Sequence, residues 1–301
     1  MTMDNSSLNN TYRSIFKPTT FQNKTIIITG GGSGIGRCIA HELASLGAQV
    51  LLVGRKEDKL IGVSDEIRSR NGTSAYGVCD IRDEDNVNAL VKQFITDYGP
   101  IHGLVNNAGG QYAAPLAMIQ KKGFEAVVQT NLIGGFIISK AVFTQSMHKH
   151  GGAIVNILAD MWGGMPGMGH SGAARSGMDN LTKTAAVEWA CCGVRVNAVA
   201  PGWIASSGMS SYKGPVTAFI PKLKAAVPLK RLGNEAEVSA AVCFLLSPAA
   251  SFITGATLRV DGAASLGNSI FPLAEHNNSQ AYEGMPACLV STSANEHKAL
   301  S

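Results

Sequence analysis

The sequence has no apolar run approaching the ~18 residues of a membrane span. Its opening stretch, MTMDNSSLNN, lacks the basic start and apolar core of a secretory signal. None of the six cysteines (Cys38, Cys79, Cys191, Cys192, Cys243 and Cys288) stands in a CxxC or CxxH spacing, which argues against zinc. Most lie in apolar runs, as buried free thiols of a reducing compartment do. There is no basic block. The net charge of +4 is spread along the chain, which speaks against nucleic acid and still suits a polyanionic small molecule. The final ALS is not the SKL peroxisomal address. No segment repeats with a period of about 20–50 residues. These absences lead us to expect a cytoplasmic protein with no metal, membrane or nucleic-acid partner.

What is present is a regular alternation. At 301 residues, 45% hydrophobic and 15% charged, the chain can bury a full core. Short β-branched runs are expected as strands at 25–29, 49–53, 74–78, 102–106, 153–158, 194–199 and 257–260. Nearly all are continuously apolar, as parallel strands covered on both faces are. Helical patterns fill the intervals, at roughly 35–46, 56–70, 83–98, 123–149, 171–191 and 235–246, the last stopped by Pro248. Repeated strand–helix alternation implies a doubly wound α/β sheet of the Rossmann type. One domain is expected over 21–262, preceded by a polar arm at 1–20 and followed by a Ser-, Asn- and Ala-rich tail at 263–301, extended or contacting a partner. Residues 201–230 carry prolines and no strand, which suits a lid over a site or a plain surface loop.

Thr29-Gly30-Gly31-Gly32-Ser33-Gly34-Ile35-Gly36 follows the first strand and opens the first helix. Glycines there let the backbone approach a pyrophosphate, and the helix start supplies free N–H groups and a positive dipole end. Ser33, Gly34, Ile35 and Gly36 join Gly30 as candidate cofactor contacts. The second strand ends Val53-Gly54-Arg55-Lys56, basic where a carboxylate would bind a ribose 2′-hydroxyl. Arg55 and Lys56 therefore favour the 2′-phosphate of NADP(H), the alternative being a solvated basic pair. Asp80 and Ile81, after the third strand, are placed to meet the adenine; Asp80 would serve equally as the N-cap of the next helix.

TGGGSGIG (29–36), Asp80, NNAG (106–109), Asn131 in QTNLIGG, IVNI (154–157) and Pro201-Gly202 together resemble the short-chain dehydrogenase/reductases over about residues 21–262. The resemblance implies strand order 3-2-1-4-5-6-7, a nicotinamide cofactor at the carboxyl ends of the strands, and a homotetramer or dimer. It implies that Asn107, Ala108 and Gly109 stabilise the central strand and touch the adenosine ribose. Pro201, Gly202, Ile204 and Ser206 are then expected near the nicotinamide. The family's catalytic set is Asn-Ser-Tyr-Lys. Asn131 matches its asparagine, but the tyrosine and lysine positions fall on Ser171 and Arg175, and the serine falls near Leu158-Ala159-Asp160. HSGAAR (170–175), LTKTAAVEWA (181–190) and VCFLLSPAASFITG (242–255) resemble trans-2-enoyl-CoA reductases of the peroxisomal type. The related 2,4-dienoyl-CoA reductases also place serine at the tyrosine position. ADMWGGMPGMGHSGAAR (159–175) is similar to a bacterial group of citronellol or citronellal dehydrogenases.

Reducing a ketone makes an alkoxide, which needs a proton that Ser171 supplies poorly. Reducing an enoyl thioester instead collects charge on the thioester oxygen as an enolate, which needs hydrogen-bond donors. Ser171 is expected to donate to it. Arg175, one turn later, is expected to hold the nicotinamide ribose and stabilise the enolate. Asp160 and His170 are the candidates for protonating the α-carbon. Against these stand plainer alternatives: Ser171 as an N-cap, Arg175 in an i,i+4 ion pair with Asp179, a structural His170, and Asp160 capping a turn. Met161, Trp162, Met165 and Met168 would form a pliable apolar wall, or pack. The expected activity is NADP(H)-dependent enoyl-CoA reduction. The alternatives are a terpenoid alcohol or aldehyde dehydrogenase and a non-catalytic NADP(H)-binding relative.

Overall fold

A computed structural model describes residues 11–206, 209, 220–266 and 272–290. Seven strands form one parallel sheet: β1 (Thr25–Thr29), β2 (Gln49–Gly54), β3 (Thr73–Val78), β4 (Gly103–Asn106), β5 (Gly152–Ile157), β6 (Val194–Pro201) and β7 (Thr257–Val260). Their order is β3-β2-β1-β4-β5-β6-β7, every neighbour parallel, as expected from the sequence. The helices are α1 (Gly34–Ser45), α2 (Glu57–Arg68), α3 (Glu84–Tyr98), α4 (Lys121–His150), α5 (Gly169–Glu188), α6 (Ile220–Ala226) and α7 (Glu235–Leu246).

The continuous apolarity of β1 divides between two cores. Ile26 and Ile28 join Ile39 and Leu43 of α1, Leu60 of α2 and Val242 of α7 on one face. Ile27 points the other way, with Val91 of α3, Ile138 and Val142 of α4 and Ala185 of α5. All three isoleucines are essentially inaccessible. Burying such a side chain contributes roughly 1.5–3 kcal/mol, so each strand is held from both sides. Helix α4 is, by length and composition, long and apolar enough to cross a membrane; here half of its most apolar window is buried against the sheet. It contains two π-turns, at Gln129–Ile133 and Phe143–Met147.

Parts of the arm and the tail pack together on the domain. Tyr12, Met285 and Leu289 form a small apolar cluster with Cys38 of α1 and Ala236 of α7. Arg13 N donates to Gly284 O at 2.8 Å, and the Arg37 guanidinium donates to Leu289 O. Tyr12 and Ser14 both donate to the buried carboxylate of Glu42, as does Ser239. Burial pushes the Glu42 carboxyl upward, against the pull of these hydroxyls. The described parts of the arm and tail thus cover the protein's own α1 and α7. Residues 1–10 and 291–301 lie outside the described residues, as do 207–208 and 210–219 of the segment read as a lid.

Candidate active site

At the carboxyl ends of the strands lies a cleft of about 510 Å³. Its floor is the β1–α1 loop. Gly30 and Gly34 have φ of +65° and +57°, a region that side-chain-bearing residues rarely enter. A Cβ on Gly36 would sit 2.4 Å from Gly30 O, so Gly36 serves the close packing of helix on loop and does not line the cleft. Thr29 fixes the neighbouring strand end: its Oγ1 accepts from the backbone N–H of Asn107 and Ala108 at 3.0 and 2.9 Å. Asn107 Nδ2 donates back to Thr29 O at 3.0 Å. These bonds tie the β1–α1 loop to the end of β4.

Ser33 precedes α1, and its side chain makes no capping hydrogen bond. The loop thus presents backbone, an uncommitted capping position and a helix start, a combination that fits a pyrophosphate. Arg55, Asp80, Ile81 and Gly109 line the cleft farther out, with Pro201, Gly202, Ile204 and Ser206 opposite. Lys56 does not line it; it sits at the N-terminal boundary of α2. Asp80 is no helix cap, since Asp83 fills that position by accepting from Asn86 N. Asp80 is bound instead by Arg82, which the sequence reading missed. Hydrogen bonds from Arg82 hold the Asp80 carboxyl below its ordinary range, with Arg55 adding to the effect. Asp80 is paired to Arg82, and Arg55 is a further cation lining this end of the cleft.

Beneath this cofactor half, Arg175 lines the cleft, donating from Nη1 to Ile157 O, while its buried Nε has no partner among the described residues. Burial pulls the guanidinium pKa down to about 10, which leaves it charged at neutral pH. The ion pair considered with Asp179 is absent: Asp179 binds Lys183 and Thr257. Asn131 sits in the first π-turn of α4 and is buried. Its Nδ2 donates to Gly110 O at 2.7 Å and its Oδ1 accepts from Gly110 N at 3.1 Å.

Ser171 lies inside α5, which begins at Gly169, so it is not an N-cap. It is fully buried, and its Oγ donates to Gln111 Oε1 at 2.6 Å. Gln111, also missed from sequence, lines the cleft. Nothing local marks it; its signal is a partner 60 positions away. His170 is fully buried too. Its Nδ1 accepts from Ser171 N, and its ring meets the Tyr112 ring edge-on at 4.5 Å. Asp160 does not line the cleft, and burial followed by the charge of Asp261 raises its carboxyl pKa. Trp162 carries the Arg259 guanidinium 4.0 Å above its ring, and Met161 packs with Leu158 and Met178. These two are therefore packing elements, whereas Met165 covers the first turn of α5 at Gly172.

A doubly wound parallel sheet, a glycine-cradled helix start and a cationic cleft at the strands' carboxyl ends define a dinucleotide-binding oxidoreductase. The family model described as Enoyl-(Acyl carrier protein) reductase matches residues 30–265, and the chain belongs to this branch of the short-chain dehydrogenase/reductases. It is 35% identical over 261 residues to the peroxisomal 2,4-dienoyl-CoA reductase of Danio rerio, covering 85% of this chain and 86% of that protein. Among solved structures, the citronellol catabolism dehydrogenase AtuB of Pseudomonas aeruginosa PAO1 is 59% identical at TM-score 0.77, covering 84% of this chain and all of that one. A Burkholderia cenocepacia gluconate 5-dehydrogenase, solved with NADP and tartrate, is 30% identical at TM-score 0.78, covering 84% of this chain and 99% of that one. Members of the family bind a nicotinamide cofactor, and the cleft fits one.

Proposed function

We propose that this oxidoreductase uses NADPH to reduce the C=C bond of an α,β-unsaturated acyl thioester. The observation that carries the proposal is Arg175, a charged guanidinium on the cleft where the family's lysine stands, with Ser171 in place of its tyrosine. A bound reduced nicotinamide supplies a hydride. As the β-carbon accepts it, the electron pair of the double bond moves towards the thioester oxygen, and the protein must stabilise that oxygen. Arg175 supplies permanent charge there, in surroundings that screen it poorly. The enolate's α-carbon then takes one proton from water, since neither Asp160 nor His170 lines the cleft. That proton and the hydride account for the two hydrogens added.

Arg55 supports the choice of NADPH, because Asp80 is already neutralised by Arg82 and a 2′-phosphate would answer the remaining charge. The β1–α1 cradle and Ser33 would hold the pyrophosphate. The match to 2,4-dienoyl-CoA reductases supports the thioester. A second reading, oxidation or reduction of a terpenoid alcohol or aldehyde, is favoured by the 59% identity to the citronellol catabolism dehydrogenase. The cytoplasm and a homotetramer remain part of the proposal from sequence. The deciding experiment follows NADPH absorbance with purified protein and trans-2-hexenoyl-CoA, then citronellal. Oxidation with the thioester is expected; turnover of citronellal alone would transfer the assignment to the second reading.

A further inference from the structure

The turn that follows α5 carries two adjacent thiols. Ala190–Cys192 forms a short 3-10 turn after Trp189, closed by Gly193 at φ +70°. The Trp189 ring stacks on Phe143 of α4 with centroids 4.4 Å apart. The N–H groups of Cys192 and Val194 both donate to Trp189 O, at 3.0 and 3.3 Å. The backbone of the turn is therefore held at both ends. Cys38, Cys79 and Cys243 are buried, but Cys191 is exposed and Cys192 half-buried. Both are free thiols, and their sulfurs lie 3.9 Å apart.

We propose that Cys191 and Cys192 form a binding site for a trivalent arsenical, an arsenoxide carrying one organic group, held through both sulfurs. Direct closure to a disulfide is disfavoured here. The peptide between them is trans, which sets adjacent Cα atoms about 3.8 Å apart, below the roughly 4.4–6.8 Å usual for a disulfide. A single thiophilic atom bonding both sulfurs at about 2.3 Å, the length of a zinc–thiolate bond, spans up to about 4.6 Å. The observed 3.9 Å falls within that reach. Zinc itself is not suited: it takes four ligands, and no group of three or more His, Cys, Asp or Glu side chains is placed to hold a metal among the described residues. Arsenic with one organic substituent needs only two sulfurs. The reaction is a condensation. Two As–S bonds form, the arsenic–oxygen bond breaks, and the oxygen leaves with both thiol protons as water, arsenic remaining trivalent. Desolvation, followed by the Cys191 thiol, raises the Cys192 pKa. That serves a reaction consuming protonated thiols, where alkylation would need the thiolate. The second bond forms within one molecule, so the pair holds its ligand far more tightly than one thiol does.

The test is intact-mass spectrometry of the reduced full chain with equimolar phenylarsine oxide, in the presence of excess glutathione as a competing monothiol. It is repeated with Cys191→Ser, Cys192→Ser and Cys288→Ser. A single adduct on the wild-type chain is expected, displaced by the dithiol 2,3-dimercaptopropanol and located by peptide mapping on the segment holding Cys191 and Cys192. Cys191→Ser and Cys192→Ser should each lose about 10²- to 10⁴-fold in affinity, the scale of a lost second attachment, and Cys288→Ser should lose nothing. Each serine replaces one sulfur by oxygen, so the variants are expected to fold, and an unchanged thermal midpoint checks this. Mapping on the wild type needs no variant and decides the site independently. An adduct that keeps wild-type affinity in Cys191→Ser or Cys192→Ser, that maps to another cysteine, or that fails to form against glutathione overturns the assignment. None of these outcomes bears on the proposed reductase activity.

Discussion

Asn131 grips Gly110 with both ends of its amide, accepting from the backbone N–H at 3.1 Å and donating to the carbonyl oxygen at 2.7 Å. A third hydrogen bond, to Val127 O at 3.0 Å, ties the same nitrogen to the preceding turn of α4. The asparagine is thus a clamp between a core helix and the strand-end segment that carries Gln111. Asn131→Ala should lower kcat/KM about a hundredfold, because displacing a site by roughly 1 Å costs that much. It should also lower stability by about 1–3 kcal/mol through the unpaired backbone groups. Wild-type kinetics in a variant of reduced stability would show that the clamp serves the fold alone.

Arg55 should govern the choice between the two nicotinamide dinucleotides. A charge-assisted bond to phosphate is worth about 1.5–3 kcal/mol, or about 10- to 100-fold in Kd. Arg55→Ala is expected to weaken NADPH by that factor and NADH by less than about threefold. Titrations of nicotinamide fluorescence measure both, and equal losses would refute the role.

Arg175 should separate stability from activity. Its Nε is buried without a partner among the described residues, so the guanidinium's desolvation is only partly offset. Arg175→Met is expected to reduce kcat/KM by at least about a hundredfold while leaving the urea midpoint level or higher. Retained turnover would remove Arg175 from the chemistry.

Glu66 gives the fold an acid-side dependence. Burial alone would raise its carboxyl pKa, but hydrogen bonds from His41 and Arg37 prevail and hold it at about 2 against an ordinary 4.5. Burial also lowers the His41 pKa, so Arg37 is the charged partner at neutral pH. A carboxyl depressed in the folded state contributes stability that is complete above its unfolded pKa and fades as pH falls from about 4.5 towards about 2. Glu66→Gln should therefore be less stable than wild type at pH 7, with the gap closing through that window. Urea unfolding at several pH values checks this; a gap constant with pH would contradict it.

The sheet was legible because its evidence is local. Each strand is a short apolar run, and the loop at Thr29–Gly36 can be recognised from its own residues. The site was legible only in part, because its decisive contacts join distant segments. Arg175 followed from its place at the family's lysine position, and the alternative partner Asp179 is taken by Lys183 and by Thr257 of β7. Ser171 looked like a helix start because the first turn of α5 extends two residues before it, over a loop rich in glycine and methionine. The π-turn at Asn131 and the return of residues 282–289 to α1 depend on packing that no window of sequence contains.

The bond from Arg13 N to Gly284 O has a topological consequence. It closes almost the whole polypeptide into a ring without a covalent link, and Tyr282 Oη donating to Arg13 O at 2.7 Å reinforces the join. A chain so closed can be reopened elsewhere. Joining the two ends by a linker that keeps Tyr12, Met285 and Leu289 in place and cutting at an exposed loop tip should give a circular permutant with the same sheet.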